Sequence, residues 1–124
     1  MNNIPDGPTV VKGPVLDGVC IPENLKDHED FFIVSEEEDC DVEKYLLEHN
    51  VDILINYLPV GSQKATEYYA ELCLRTKISL LNCIPVFIAS DPVWEKRFID
   101  AGVPIIGDDM KSQFGASILS QMLQ

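Results

Sequence analysis

The sequence predicts an α/β fold in which a small parallel sheet is flanked by helices, and three observations carry that prediction. Short apolar runs at Ile53-Leu54-Ile55, at Ile78 to Ile84 and at Val103-Pro104-Ile105-Ile106 have the length and composition of strands. Between them lie stretches whose apolar residues recur at helical spacing. Each strand candidate ends in a break, at Pro59 with Gly61, at Pro85 and at Gly107-Asp108-Asp109. Strands alternating with helices in this way make a parallel sheet.

The 124 residues are enough for one small core. An apolar share of 46% and a charged share of 24% are those of an ordinary globular chain, so a folded domain is expected. A net charge of -12 argues against nucleic acid or an anionic membrane as partner, because both would be repelled. No apolar run approaches the about 20 residues that span a bilayer, and Met1-Asn2-Asn3-Ile4-Pro5 lacks the features of a signal peptide. The expectation is a soluble, cytoplasmic protein. Cys20, Cys40, Cys73 and Cys83 show no CxxC spacing and no close histidine, so a metal site or redox pair has weak support, and Cys73 and Cys83, in apolar contexts, are expected as buried free thiols.

In chain order, Met1 to Pro22 is punctuated by proline and glycine and reads as loop, with Thr9-Val10-Val11 as its one extended candidate. The acidic run Glu36-Glu37-Glu38-Asp39 reads as a solvated face, and Phe31-Phe32-Ile33-Val34 before it as a short strand. Residues 1–40 are thus an irregular arm and acidic connection, and residues 41–124 the α/β domain. Asp41 is placed to cap a helix from Val42 to His49, with Val42, Tyr45, Leu46 and His49 on one face. The continuous apolar run Ile53-Leu54-Ile55 predicts a strand covered on both faces. Ser62 is the expected cap of a helix whose buried face carries Ala65, Tyr69, Leu72, Cys73 and Thr76. Ile78 to Ile84 is the second strand, and Pro85 stops it. The connection after it, Val86-Phe87-Ile88-Ala89, is apolar; it suits either core packing or the cover of a ring-shaped ligand. Ser90 or Asp91 caps a helix that starts with Pro92 and stops at Gly102, and Val103 to Ile106 is the third strand. A last helix, Ser112 to Gln124, places Phe114, Ile118 and Met122 on one stripe.

Asn56, Asn82 and Asp108 stand at the ends of three successive strands and converge on the edge where open α/β sheets bind ligands. Their amides and carboxylate suit the polar rim of a cofactor, and equally suit the plain task of ending strands and capping helices. The helix starts after Ser62, Ser90 and Ser112 offer backbone N–H groups to an anion. Lys111, after two carboxylates and at the start of a helix, is poorly placed for helix stability. It is either a paired surface lysine or a cation that stabilises a developing oxyanion or grips a phosphate. No GxGxxG turn, GxSxG elbow or Walker loop occurs, so a complete dinucleotide site is not encoded.

Four words of the sequence resemble the prokaryotic branch of the myo-inositol-1-phosphate synthase family, also called inositol-3-phosphate synthase. They are Gly13-Pro14-Val15-Leu16-Asp17-Gly18, Asn56-Tyr57-Leu58-Pro59-Val60-Gly61-Ser62, Asn82 through Pro92, and Gly107-Asp108-Asp109-Met110-Lys111-Ser112-Gln113 with the residues to Ser117. The resemblance implies a partial Rossmann-like parallel sheet, the late half of an NAD-binding domain. It implies an NAD-dependent isomerase that converts glucose 6-phosphate to myo-inositol monophosphate by oxidation, enolisation, aldol cyclisation and reduction, serving inositol and phospholipid biosynthesis. Lys111 takes the family's catalytic lysine position. Asn56, Tyr57, Leu58, Pro59, Asn82, Ser90, Asp91, Asp108 and Asp109 fall in the words that surround NAD.

The family's glycine-rich NAD turn and its long C-terminal region have no counterpart here, so the isolated chain is expected to be inactive. Its expected partner is a second copy or the remainder of a synthase chain. The competing expectation is a non-catalytic Rossmann-like module that binds a nucleotide weakly or associates through an open sheet edge.

Overall fold

A computed structural model describes residues 7–18 and 34–109. Residues 7–18 and 34–40 contain no helix or strand. Regular structure begins at Asp41, whose side chain accepts a hydrogen bond from the Lys44 backbone N–H at 3.1 Å and so starts α1 (Val42–Glu48). Val42 and Leu46, one turn apart, are the buried residues of α1; Tyr45 stacks on His49 with ring centroids 4.0 Å apart. The strand β1 (Ile53–Asn56) follows, then α2 (Gln63–Thr76), β2 (Ser79–Asn82), α3 (Pro92–Ala101) and β3 (Ile105–Ile106). The strand candidates at 78–84 and 103–106 are thus trimmed to the residues that pair.

The three strands are parallel in the order β1-β2-β3, with Leu54 opposite Leu80 and Leu80 opposite Ile105. α2 ends at Lys77 in the left-handed conformation, with its N–H returned to the Cys73 carbonyl. α3 begins under the Asp91 side chain, which accepts from Val93 and Trp94 N–H, and stops at Gly102 with φ 66. The expected proline start and glycine stop of α3 are therefore both in place.

Leu72 and Cys73 of α2, Phe98 of α3, Val42 and Leu46 of α1 and Leu80 of β2 form one core, joined by Val86 and Ile88 of the loop after β2. Phe98 is 1% exposed; burying such a side chain contributes about 2 to 3 kcal/mol. On the outer side Arg97 grips Glu71 through two bonds of 2.6 and 2.7 Å and lies over Trp94, tying α3 to α2. The bond from Arg97 holds the Glu71 carboxyl below its ordinary range.

Among the described residues the run Ile53-Leu54-Ile55 is covered on one face rather than the expected two: Leu54 packs on the core, while Ile53 is 58% and Ile55 51% exposed. The strand order advances in a single direction, so right-handed crossovers put α2 and α3 on the same side of the sheet. The opposite face carries Ile53, Ile55, Leu81 and Ile106, and among the described residues no helix lies over it. Phe31-Phe32-Ile33 and the helix expected from Ser112 to Gln124 lie outside the described residues.

Candidate functional site

Parallel pairing sets Asn56 directly opposite Asn82, both with side chains on the covered face. Gly107-Asp108 follows β3 at the same edge, and the three side chains meet in a buried row. Asn82 Nδ2 donates to Asp108 Oδ1 at 2.7 Å and to the Val86 carbonyl at 2.7 Å. Asn56 Nδ2 donates to Asn82 Oδ1 at 3.0 Å and to Thr66 Oγ1 at 3.1 Å, and Asn56 Oδ1 accepts from Leu58 N–H at 3.1 Å. The Asp108 carboxylate also accepts three successive backbone N–H groups, from Ile88 at 3.0 Å, Ala89 at 3.1 Å and Ser90 at 3.1 Å. The sequence placed these residues at one edge, and the structure brings them into one network.

Every donor of the two amides is used inside the protein, and Asp108 accepts four hydrogen bonds in all. Their chemistry in this arrangement is to hold two segments in place. Asn56 shapes the turn Tyr57-Leu58-Pro59, and Asp108 shapes the loop from Ile88 to Ser90. In the connection after β2, Val86 and Ile88 are buried in the core, as the core-packing alternative expects, while Phe87 is 68% exposed.

Tyr57, Leu58 and Pro59, with Leu54, Ile55, Asn56 and Tyr69, line a cleft of about 400 Å³ beside the end of β1. Tyr57 is 68% exposed, and the neighbouring Cys83 thiol raises its hydroxyl pKa above the ordinary tyrosine value. Burial raises Tyr69 in the same direction. Ser90 is exposed at the sheet edge, and Asp109 donates its N–H to the Ile84 carbonyl at 3.1 Å. Asp91 is spent as the cap of α3. A second cleft of about 530 Å³, between α3 and β3, contains none of the expected site residues. Lys111, expected as the catalytic cation, lies outside the described residues.

The expectation of free N–H groups at the helix starts is also corrected. After Ser62, the Lys64 and Ala65 N–H groups donate to Asp17 at 2.6 and 2.9 Å. After Ser90, the Val93 and Trp94 N–H groups donate to Asp91 at 2.9 and 3.1 Å. Carboxylates of the chain itself have taken the places offered to a ligand anion. The start after Ser112 lies outside the described residues. Asp17, Thr66 and Tyr69 were not anticipated at this edge. Asp17 is 47 positions from Lys64, and only its place in the Gly13 to Gly18 word that resembles the synthase family marked it at all.

Parallel strands with crossover helices and a polar row beyond their C-terminal ends define a partial Rossmann-like α/β domain. The crystal structure of Ari2 shares this arrangement, with a TM-score of 0.60 and 36% identity over 66% of this chain and 25% of its own. Over the stretch it spans, the chain is homologous to proteins named inositol-3-phosphate synthase. It is 49% identical to the inositol-3-phosphate synthase of Mycolicibacterium smegmatis over 114 residues, which are 92% of this chain and 30% of that protein. It is 47% identical to that of Mycobacterium tuberculosis (strain CDC 1551 / Oshkosh) over 96% of this chain and 31% of the relative. The synthase of Corynebacterium glutamicum is 46% identical over 94% of this chain and 31% of its own length. The chain therefore spans about 30% of the length of these relatives. No protein-family model matches it.

Proposed function

We propose that this chain forms the cofactor-facing wall of an NAD-dependent inositol-3-phosphate synthase, the enzyme that isomerises glucose 6-phosphate to myo-inositol monophosphate. The observation that carries this reading is the row Asn56, Asn82 and Asp108, which holds two exposed segments at the ligand edge of a parallel sheet. The residues fit part of the cofactor. The cleft at Tyr57-Leu58-Pro59 has mainly apolar walls and a polar rim, which suits a flat ring. The amides at the starts of α2 and α3 are engaged by Asp17 and Asp91, which disfavours the pyrophosphate there.

NAD, when bound, would supply the hydride acceptor and donor for the oxidation and the later reduction. The chain's own residues have the tasks of seating and excluding. Tyr57 and Pro59 would line the seat of the ring, Asn56 would hold their turn, and Asn82 and Asp108 would hold the loop with Phe87 and Ser90 over the site, keeping water out. Asp109 would close the wall, and the ammonium of Lys111 would offset negative charge developing on a sugar oxygen. On this reading residues 1–40 would be the connection ahead of the domain 41–124, and of them Asp17 meets the start of α2. The remaining length of a synthase would supply the rest of the site, so this chain alone binds cofactor without turnover.

Calorimetry with NAD tests the reading. Weak heat at millimolar NAD is expected from the wild type, and less from Tyr57→Ala, whose exposed ring leaves the core untouched when removed. No heat at that concentration overturns the assignment. Formation of inositol phosphate from glucose 6-phosphate by the isolated chain overturns the statement that it lacks turnover.

A second reading, an interaction module, draws on the open face of the sheet and on its two edges, β1 and β3, which among the described residues carry no further strand. Ile53, Ile55 and Ile106 are each more than half exposed there, and an unpaired edge strand is a template for a further strand. Sedimentation showing a concentration-dependent dimer that Ile55→Lys abolishes would favour this reading for the chain by itself.

A further inference from the structure

The word Gly13-Pro14-Val15-Leu16-Asp17-Gly18 has no part in the buried row, yet it reaches the turn between β1 and α2 from a distant point of the chain. The Asp17 carboxylate accepts from Lys64 N–H at 2.6 Å and from Ala65 N–H at 2.9 Å, the second and third residues of α2. These are the donors that a residue at the cap position ordinarily satisfies. Ser62 occupies that position and leaves them free, because its hydroxyl donates instead to the Pro59 carbonyl at 2.7 Å. Gly18 then passes so close to Ser62 that a Cβ would collide with its Oγ, and its φ of +79 is open to glycine. Asp17 is thereby seated against the helix start by backbone shape as well as by charge.

The site of a strand-to-helix turn in a parallel sheet is where ligand phosphates are commonly bound, by the same N–H groups and helix dipole. Here a carboxylate of the chain stands in that place. We propose that Asp17 is a specificity-determining residue, a resident anion that bars a ligand phosphate from the β1 to α2 turn. This part of the edge then admits only an uncharged portion of the ligand, such as a base or a carboxamide-bearing ring, next to Tyr57 and Leu58. The proposal rests on the reading of this edge as cofactor-facing, and it adds which chemistry the edge rejects. It also gives the Gly13 to Gly18 word a task that neither the buried row nor the cleft performs.

The test is a titration of the 124-residue chain with inorganic phosphate at constant ionic strength, following the backbone amide resonances of Lys64 and Ala65. In the wild type these resonances stay fixed. In Asp17→Ala they move saturably, because the vacated N–H groups and helix dipole accept the added anion. Asp17→Asn, which keeps the shape and one acceptor without the charge, responds between the two. Wild-type resonances of Lys64 and Ala65 that titrate with phosphate overturn the proposal without any substitution. So does a folded Asp17→Ala that shows no phosphate response. NAD is titrated separately: shifts centred on Tyr57 and Leu58 are expected. Shifts centred on Lys64 and Ala65 overturn the proposal, while absence of all NAD shifts with the phosphate results intact overturns only the cofactor reading.

Discussion

Asn82 Nδ2 lies 2.7 Å from Asp108 Oδ1, and through this bond the end of β2 is joined to the segment after β3 and to three backbone N–H groups of the loop Ile88 to Ser90. Asn82 is fully buried and Asp108 is 7% exposed. A carboxylate taken from water needs each of its lone pairs answered, and here the chain answers them.

Asn82→Leu removes the central member of the row while nearly keeping its volume. It leaves Asn56 without one acceptor and Asp108 without one donor, at a cost of about 1 to 3 kcal/mol for each group left unsatisfied. Urea denaturation should show the midpoint falling with an unchanged slope. A stability equal to wild type would mean that the row is not formed in solution.

Gly18→Ala places a methyl group against Ser62 and asks a non-glycine residue to hold φ +79. The arm should lift from α2, with a loss of about 1 to 3 kcal/mol. Limited proteolysis reads the release as faster cleavage near residue 18. Cleavage at the wild-type rate would refute the close approach.

The two faces of the sheet should respond differently to the same chemistry. Leu80→Ala opens the core at a residue 2% exposed and should cost about 2 to 5 kcal/mol. Ile55→Thr, on the open face at 51% exposure, should stay within about 1 kcal/mol of wild type. Equal losses for both would show that the open face is covered in solution.

Burial pushes the Cys73 thiol up to about 12 from an ordinary 9.0. The folded state thus resists ionisation that the unfolded chain undergoes. The associated stability is fully present below pH 9.0 and is lost as the pH rises from there toward about 12. Between those limits the unfolding free energy of the wild type should fall more steeply with pH than that of Cys73→Ala. Parallel slopes would mean that the thiol is accessible in the native state.

Much of the fold was legible because it is written in local or periodic terms. Asp41 before Val42, Asp91 before Pro92 and Gly102 after Ala101 set helix ends through bonds to neighbouring backbone, and each does so in the structure. Asn56, Asn82 and Asp108 were legible as a convergent set because strand ends in a parallel sheet share one edge. Their mutual bonding was not legible, since an asparagine that faces a ligand and one that faces another asparagine have the same sequence signature. The coverage of β1, one-sided among the described residues, was not legible for a related reason. An apolar run records that a strand is hydrophobic, and Ile53 and Ile55 are hydrophobic whether or not a helix lies over them.

The amino-acid sequence by itself determined the alternation of strands and helices, their caps and the family, because those depend on residues within a turn of one another or on words read in order. Only the tertiary structure decided that both crossover helices share one face, that the polar row satisfies itself, and that Asp17 rather than Ser62 caps α2. The physical reason is range. Which donors Asp17 meets 47 positions away depends on where the packed core places the start of α2, and no local preference of the residues between them encodes that meeting.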